Sequence, residues 1–234
     1  MKLSKIMSSI IVGAMFLSSA GCSRYKFYKP SLPANPNDAS RIEESLSRGK
    51  TYLYETKLSK RPLDFDFDNA IQNIILFGNK ISLPCTFKEF GEDFSIENPY
   101  VLPSLAEEVG FDILIYSLSY KGQRIGNVMF RNCLPDDPDI ESKKIFHLKI
   151  TRALTENKPE INFMGVTFDS TATDIIDSLG RVSRISEDGF AGGSNLYYNQ
   201  FQYVVSDGTN DTKEVIVVTK REEILSISFT VIER

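Results

Sequence analysis

The chain has 234 residues, of which 41% are hydrophobic and 25% charged, and its formal net charge is -4. The charges are scattered, so there is no basic stripe of the kind that neutralises nucleic-acid phosphates, and nucleic-acid binding is excluded on that ground. One histidine rules out multi-histidine metal centres and leaves any histidine-dependent triad a single candidate. In chain order, Lys2 and Lys5 come first, then an apolar run from Ile6 to Leu17, then Ser18-Ser19-Ala20-Gly21 before Cys22. These are the three regions of a secretory signal. A membrane-spanning helix needs about 20 predominantly apolar residues, and this run is shorter and diluted by Ser8, Ser9 and Gly13.

The segment Ser19-Ala20-Gly21-Cys22 resembles the end of a bacterial lipoprotein signal, with Ser19 where that family usually has Leu. The resemblance implies cleavage before Cys22, acylation of its thiol by palmitate-type chains, and a lipid anchor in the cell membrane or outer membrane. The body would then face away from the cytoplasm. Residues 1–21 are thus expected to be the signal, and 22–62 the lipidated cysteine with a tether. Loss of Lys2 and Lys5 with the signal makes the mature charge about -6. Pro30, Pro33 and Pro36 interrupt regular structure in the tether. Ser40 and Glu43 form a capping-box pattern for a short helix that Gly49 can stop. Arg24, Lys26 and Lys29 read as a solvated linker, with weak attraction to anionic headgroups as the alternative.

Residues 63–155 read as a β-rich module. Ile74–Phe77 and Lys80–Leu83 flank Gly78-Asn79, a pair suited to a tight hairpin turn, and Pro84 ends the second strand. Thr86–Phe90 forms a helical turn or a loop stopped by Gly91. Leu114, Tyr116, Leu118 and Tyr120 alternate with Ile113, Ile115, Ser117 and Ser119; Lys121-Gly122 turns the chain, and Arg124–Arg131 returns. Lys144–Ile150 alternates as a strand with His147 opposite Phe146 and Leu148. With Gly78–Cys85 and Gly122–Val128 as its marks, the mature chain resembles uncharacterised lipoproteins of anaerobic Gram-positive bacteria, a resemblance that implies no activity.

Residues 156–234 form a second module. Thr171 and Asp174 cap a helix whose Ala172, Ile175, Ile176 and Leu179 make one apolar stripe, closed by Gly180. Three strands follow: Phe201, Tyr203 and Val205; Val215–Val218; and Leu225, Ile227, Phe229 and Val231 alternating with Ser226, Ser228 and Thr230. Gly165-Val166-Thr167, Thr171, Asp174-Ile175 and Leu179-Gly180 before a meander are similar to the helix-plus-sheet repeats of β-lactamase-inhibitor-like proteins and small outer-membrane-assembly lipoproteins. Those families act by binding proteins. The fold class expected is α+β: a β-rich module followed by a helix packed on an antiparallel β-meander.

Chemical sites are sparse. Asp64-Phe65-Asp66-Phe67-Asp68 has the start of a calcium loop, but Asn69 stands at the Gly position and Ile75 at the bidentate Glu position. Two-residue alternation, with Phe65 and Phe67 inward and the aspartates in water, accounts for it better. Asp174 and Asp177 are explained by the helix start. No Gly-x-Ser-x-Gly elbow or phosphate loop is present, and no metal or cofactor is expected. Cys85 and Cys133 are either an export-compartment disulfide or two separate thiols. Asn210-Asp211-Thr212 marks an exposed turn. The function expected is non-enzymatic: a protein-binding module at the envelope, using Gly189, Phe190, Gly192, Gly193, Tyr197, Tyr198 and Tyr203 as the partner surface. The alternatives are a small-ligand or lipid-binding lipoprotein and, behind it, an envelope hydrolase.

Overall fold

A computed structural model describes residues 54–55, 65–101, 112–152, 158–180, 184–189, 197–206, 211–220 and 223–232. Cys22, the tether helix at Ser40–Gly49, and Asp64, Phe190, Gly192, Gly193 and Asn210 lie outside the described residues. The fold is mostly antiparallel β-sheet with few helices.

Among the described residues the first elements are β1 (Tyr54–Glu55) and α1 (Phe67–Gln72). Asp64–Asp68 was expected as an alternating strand, and this is corrected. Phe65 and Phe67 are buried as expected, but Phe67 opens α1. The reason is local: Asp66 Oδ1 accepts the Asn69 amide at 3.0 Å, supplying the N-cap that an extended chain would leave unused. Phe65 and Phe67 meet edge to face at 4.4 Å, so both rings reach the core despite the helix.

A hairpin of β2 (Ile74–Leu76) and β3 (Asn79–Ile81) follows. Its turn sits one residue earlier than the expected Gly78-Asn79, because Leu76 pairs with Asn79 and the left-handed positions are Phe77 (φ 48) and Gly78 (φ 79). Two positive φ values in succession suit the twist of a two-residue hairpin. Phe77 accepts its strained position with its ring stacked on Tyr120 at 3.8 Å. After β4 (Cys85–Thr86), Thr86 and Glu89 cap a single 3-10 turn over Phe87–Phe90, which ends at Gly91. The four strands β5 (Phe94–Val101), β6 (Ile113–Tyr120), β7 (Gln123–Arg131) and β8 (Lys144–Thr151) then form a meander. The β6–β7 turn falls on Lys121-Gly122, as the alternation requires.

The second half repeats the plan. β9 (Ile161–Asn162) leads to a turn at Met164 (φ 49) and Gly165 (φ 86), closed by the bridge from Phe163 to Val166. α2 (Ala172–Leu179) opens on a Thr171–Asp174 capping box and ends at Gly180. Four strands follow: β10 (Arg184–Gly189), β11 (Tyr197–Ser206), β12 (Thr212–Lys220) and β13 (Glu223–Ile232).

The two meanders join at their last strands. The large sheet runs β1-β10-β11-β12-β13-β8-β7-β6-β5, with β4 on β8, and the small sheet runs β3-β2-β9. Antiparallel pairing of β13 with β8 and of β2 with β9 gives both sheets an approximate two-fold axis relating the halves. The large sheet therefore continues across the boundary expected at residues 155/156. One core cluster holds Leu114, Val128, Leu148, Val215, Ile227 and Phe229 of the large sheet, Ile74, Ile81 and Ile161 of the small one, and Ala70, Ile71, Ile175 and Leu179 of the helices. At Gly126 the strands approach so closely that an added Cβ would lie 1.9 Å from the Lys149 carbonyl oxygen. β1 lies in the segment expected as tether, where Tyr54 and Glu55 pair with Ile185 and Arg184.

Candidate functional site

The surface expected from sequence is divided by the fold. Gly189 pairs with Tyr197, and Asp188 with Tyr198, at the end of the β10–β11 pair where one strand leads on to the other. Tyr203 is corrected: it is fully buried, its ring lies 4.6 Å from Phe65, and its hydroxyl donates to the Gly180 carbonyl at 3.3 Å. It faces the core because it shares the β11 face of Phe201, two residues before it. Burial alone raises its hydroxyl pKa. The possible disulfide is corrected as well, since Cys85 and Cys133 are separate buried thiols. Cys85 sits in β4 opposite Ile145, and burial pushes its thiol up to about 12. Cys133 instead gives its S–H to the Arg131 carbonyl at 3.2 Å.

Asp68 pairs with Lys213, and Asp66 caps α1, so both aspartates of the calcium-like pattern that lie in the described residues have other partners. No group of three or more His, Cys, Asp or Glu able to hold a metal occurs among the described residues.

His147 is the informative position. It lies in β8 opposite Met129 on β7 and Thr230 on β13, wholly buried, with Nδ1 2.9 Å from Thr230 Oγ1. Burial, then the neighbouring Lys149 charge, lowers its pKa to about 3, so the ring is neutral. Leu148 points to the opposite, core face, as expected from alternation. Phe146 departs from it: the ladder shifts register between Met129 and Phe130, and Phe146 lies outside the core cluster that holds Ile145 and Leu148.

His147 belongs to a row of side chains on the sheet face away from that core. In register across β11, β12, β13, β8 and β7 stand Val204, Glu214, Thr230, His147 and Met129; the next row holds Gln202, Ile216, Ser228, Lys149 and Asn127. Glu214 is 2% exposed, and burial raises its carboxyl to about 8. Burial lowers the Lys149 ammonium. Glu214 Oε1, His147 Nε2 and Asn127 Oδ1 are buried without a hydrogen-bond partner, as is Thr219 Oγ1 at the β12 bulge. Sequence reading missed Glu214, Lys149 and Asn127. The available signal was Glu214 next to the continuous apolar run Val215–Val218, a charge where a buried strand is read.

Two features lie at the margin of the sheet. Tyr100 (59% exposed) and Val101 end β5, opposite Ile115 and Leu114, and Leu134 (66%) follows β7, whose Arg131 pairs with Ile113; all three are exposed large apolar side chains. A cavity of about 240 Å³, with Arg131, Lys143, Lys144 and Phe146 in its wall, lies where β8 leaves β13 for β4. Lys143 is held there by Asp137 at 3.4 Å.

Comparison of the chain with protein families, with curated proteins and with solved structures finds no match.

Proposed function

We propose that the protein is a lipid-anchored envelope protein that acts by binding a protein partner and not by catalysis. The anchor rests on Ser19-Ala20-Gly21-Cys22 after a short apolar run. The observation that carries the binding reading is the exposure of the large apolar side chains Tyr100, Val101 and Leu134, which stand in water. The buried state of His147, tied to Thr230, supports a non-catalytic role by keeping the imidazole from a substrate in solvent. In this reading α2 lies on the β10–β13 meander. Ile175, Ile176 and Leu179 in the shared core and the Tyr203–Gly180 hydrogen bond support that arrangement.

The test is crosslinking in intact cells with palmitate labelling. The wild-type chain takes up label and gives one reproducible crosslinked protein, Cys22→Ala loses the label, and Tyr100→Ser with Leu134→Ser weakens the crosslink at least five-fold. Label retained by Cys22→Ala overturns the anchor. A wild type without a reproducible partner overturns the binding reading.

A further inference from the structure

We propose that the outer edge of β5 at Tyr100 and Val101 is a strand-addition site that takes an extended segment of a partner protein, with two adjacent apolar residues at its centre. This rests on the protein-binding reading above and gives the partner its form. The starting observation is a difference between the two ends of the large sheet. At one end β10 carries a further strand, β1, along its outer side; at the other, β5 is paired among the described residues with β6 alone.

The approximate two-fold axis makes these two edges comparable residue by residue. Leu148 pairs with Phe229 at the join; Val128 pairs with Leu148 and Val215 with Phe229, so Val128 and Val215 are equivalent. One residue on, Met129 leads in register to Ile115 and then Tyr100, while Ile216 leads to Gln202 and then Arg184. In the same way Phe130 leads to Leu114 and Val101, and Val217 to Phe201 and Ile185. Tyr100 and Val101 are therefore the equivalents of Arg184 and Ile185, the two residues that pair with Glu55 and Tyr54 of β1. The place filled by an extended segment in the second half is open in the first.

The rest of the β5 edge is guarded. An edge strand is a template for another chain, and proteins blunt it with charge, proline or a bulge. Just before Tyr100, β5 has all three: Glu97 is exposed, Asn98 has φ 53 where the register shifts, and Pro99 has no N–H to donate. Tyr100 and Val101 follow without such a device, 59% and 38% exposed. Main-chain hydrogen bonds along an edge give affinity to any extended chain, and the side chains beside them give preference. Val101 is in register with the core residue Leu114, and Tyr100, one residue earlier, belongs to the opposite face. Both are apolar, so the added strand matches them with one apolar residue on each face, β-branched or aromatic. Two such residues in succession set it apart from a half-buried strand of alternating polarity.

The experiment is hydrogen–deuterium exchange on the full mature chain with a capped octapeptide of threonine that carries valine and tyrosine at its two central positions. A second peptide has the same side chains but is methylated on the valine and tyrosine backbone nitrogens, which removes the main-chain donors. The first peptide slows amide exchange over Phe94–Val101 at least five-fold, and the methylated one leaves it unchanged. Tyr100→Lys, with its fold confirmed by a thermal melt, weakens the protection at least five-fold. Protection by neither peptide, or equal protection by both, overturns strand addition. Sedimentation velocity without peptide tests a second copy as the occupant: a monomer is expected across a hundred-fold range of concentration, and a dimer that Tyr100→Lys dissolves overturns the proposal. If peptide protection fails while Tyr100→Ser with Leu134→Ser still weakens the crosslink in cells, strand addition falls and the protein-binding reading stands. A wild type without a reproducible crosslink removes both.

Discussion

The two faces of the central strands β8 and β13 obey different rules. On the core face, Leu148 and Phe229 pair directly, both fully buried, and Phe229 meets Phe163 edge to face at 4.9 Å. On the other face, a residue away, His147 and Thr230 are buried to the same degree but joined by one polar contact, with Glu214 beside them. Apolar burial is additive and forgiving in direction, whereas a buried polar group contributes only when its partner is in place. One face therefore carries the stability of the sheet, and the other stores unmet hydrogen-bonding capacity.

Phe229→Ala should break the comparison most. Removing a fully buried phenyl that packs against Phe163 costs about 4 kcal/mol, visible as a large fall in the chemical-denaturation midpoint with an unchanged slope. Thr230→Val, close in volume, leaves His147 Nδ1 without its partner and should cost about 1–3 kcal/mol by the same measurement. A cost as large as that of Phe229→Ala would show that the polar row, and not the core, holds the seam.

Glu214→Gln sharpens the comparison through pH. Folding raises the Glu214 pKa from 4.5 to about 8, so between those values the folded chain holds a proton that the unfolded chain has released. Glu214 thus takes away stability as pH rises from 4.5 to 8, at up to about 1.4 kcal/mol per pH unit. His147 acts oppositely: its pKa falls from 6.5 to about 3, and stability is lost as pH drops through that window. Where the windows overlap, between 4.5 and 6.5, the two slopes offset each other. Glu214→Gln should therefore melt at nearly the wild-type temperature at pH 4.5 and progressively higher than wild type toward pH 8. Parallel pH profiles for the two proteins would show that the Glu214 carboxyl ionises as it does in water.

Much of the fold was legible locally. The β6–β7 hairpin follows from two-residue alternation and Lys121-Gly122, the second helix from its Thr171–Asp174 box, and the buried run Val215–Val218 from its composition. Where reading failed, a single side-chain contact overrode the pattern. Asp66 capped a helix in place of an alternating strand, and Leu76–Asn79 pairing moved a turn by one residue. The duplication was present in the sequence as Phe77-Gly78 before Thr86-x-x-Glu89 and Met164-Gly165 before Thr171-x-x-Asp174. Turn residues and caps are common enough singly that only their equal roles in the two paired halves of the fold make them a repeat.

By itself, the sequence determined the β6–β7 hairpin, α2 and the strands β12 and β13, because periodicity, turn chemistry and caps act within a few residues. It also supplied the segment Ser19-Ala20-Gly21-Cys22, on which the proposed anchor rests. Tertiary structure alone decided that two meanders become one sheet through β8 and β13, that Tyr203 is a core residue, and that Cys85 and Cys133 stay apart. It also brought Asn127, His147 and Glu214 to one face, since strand order sets which distant residues become neighbours. Alternation tells which side chains share a face of one strand; only pairing between strands tells whose company they keep.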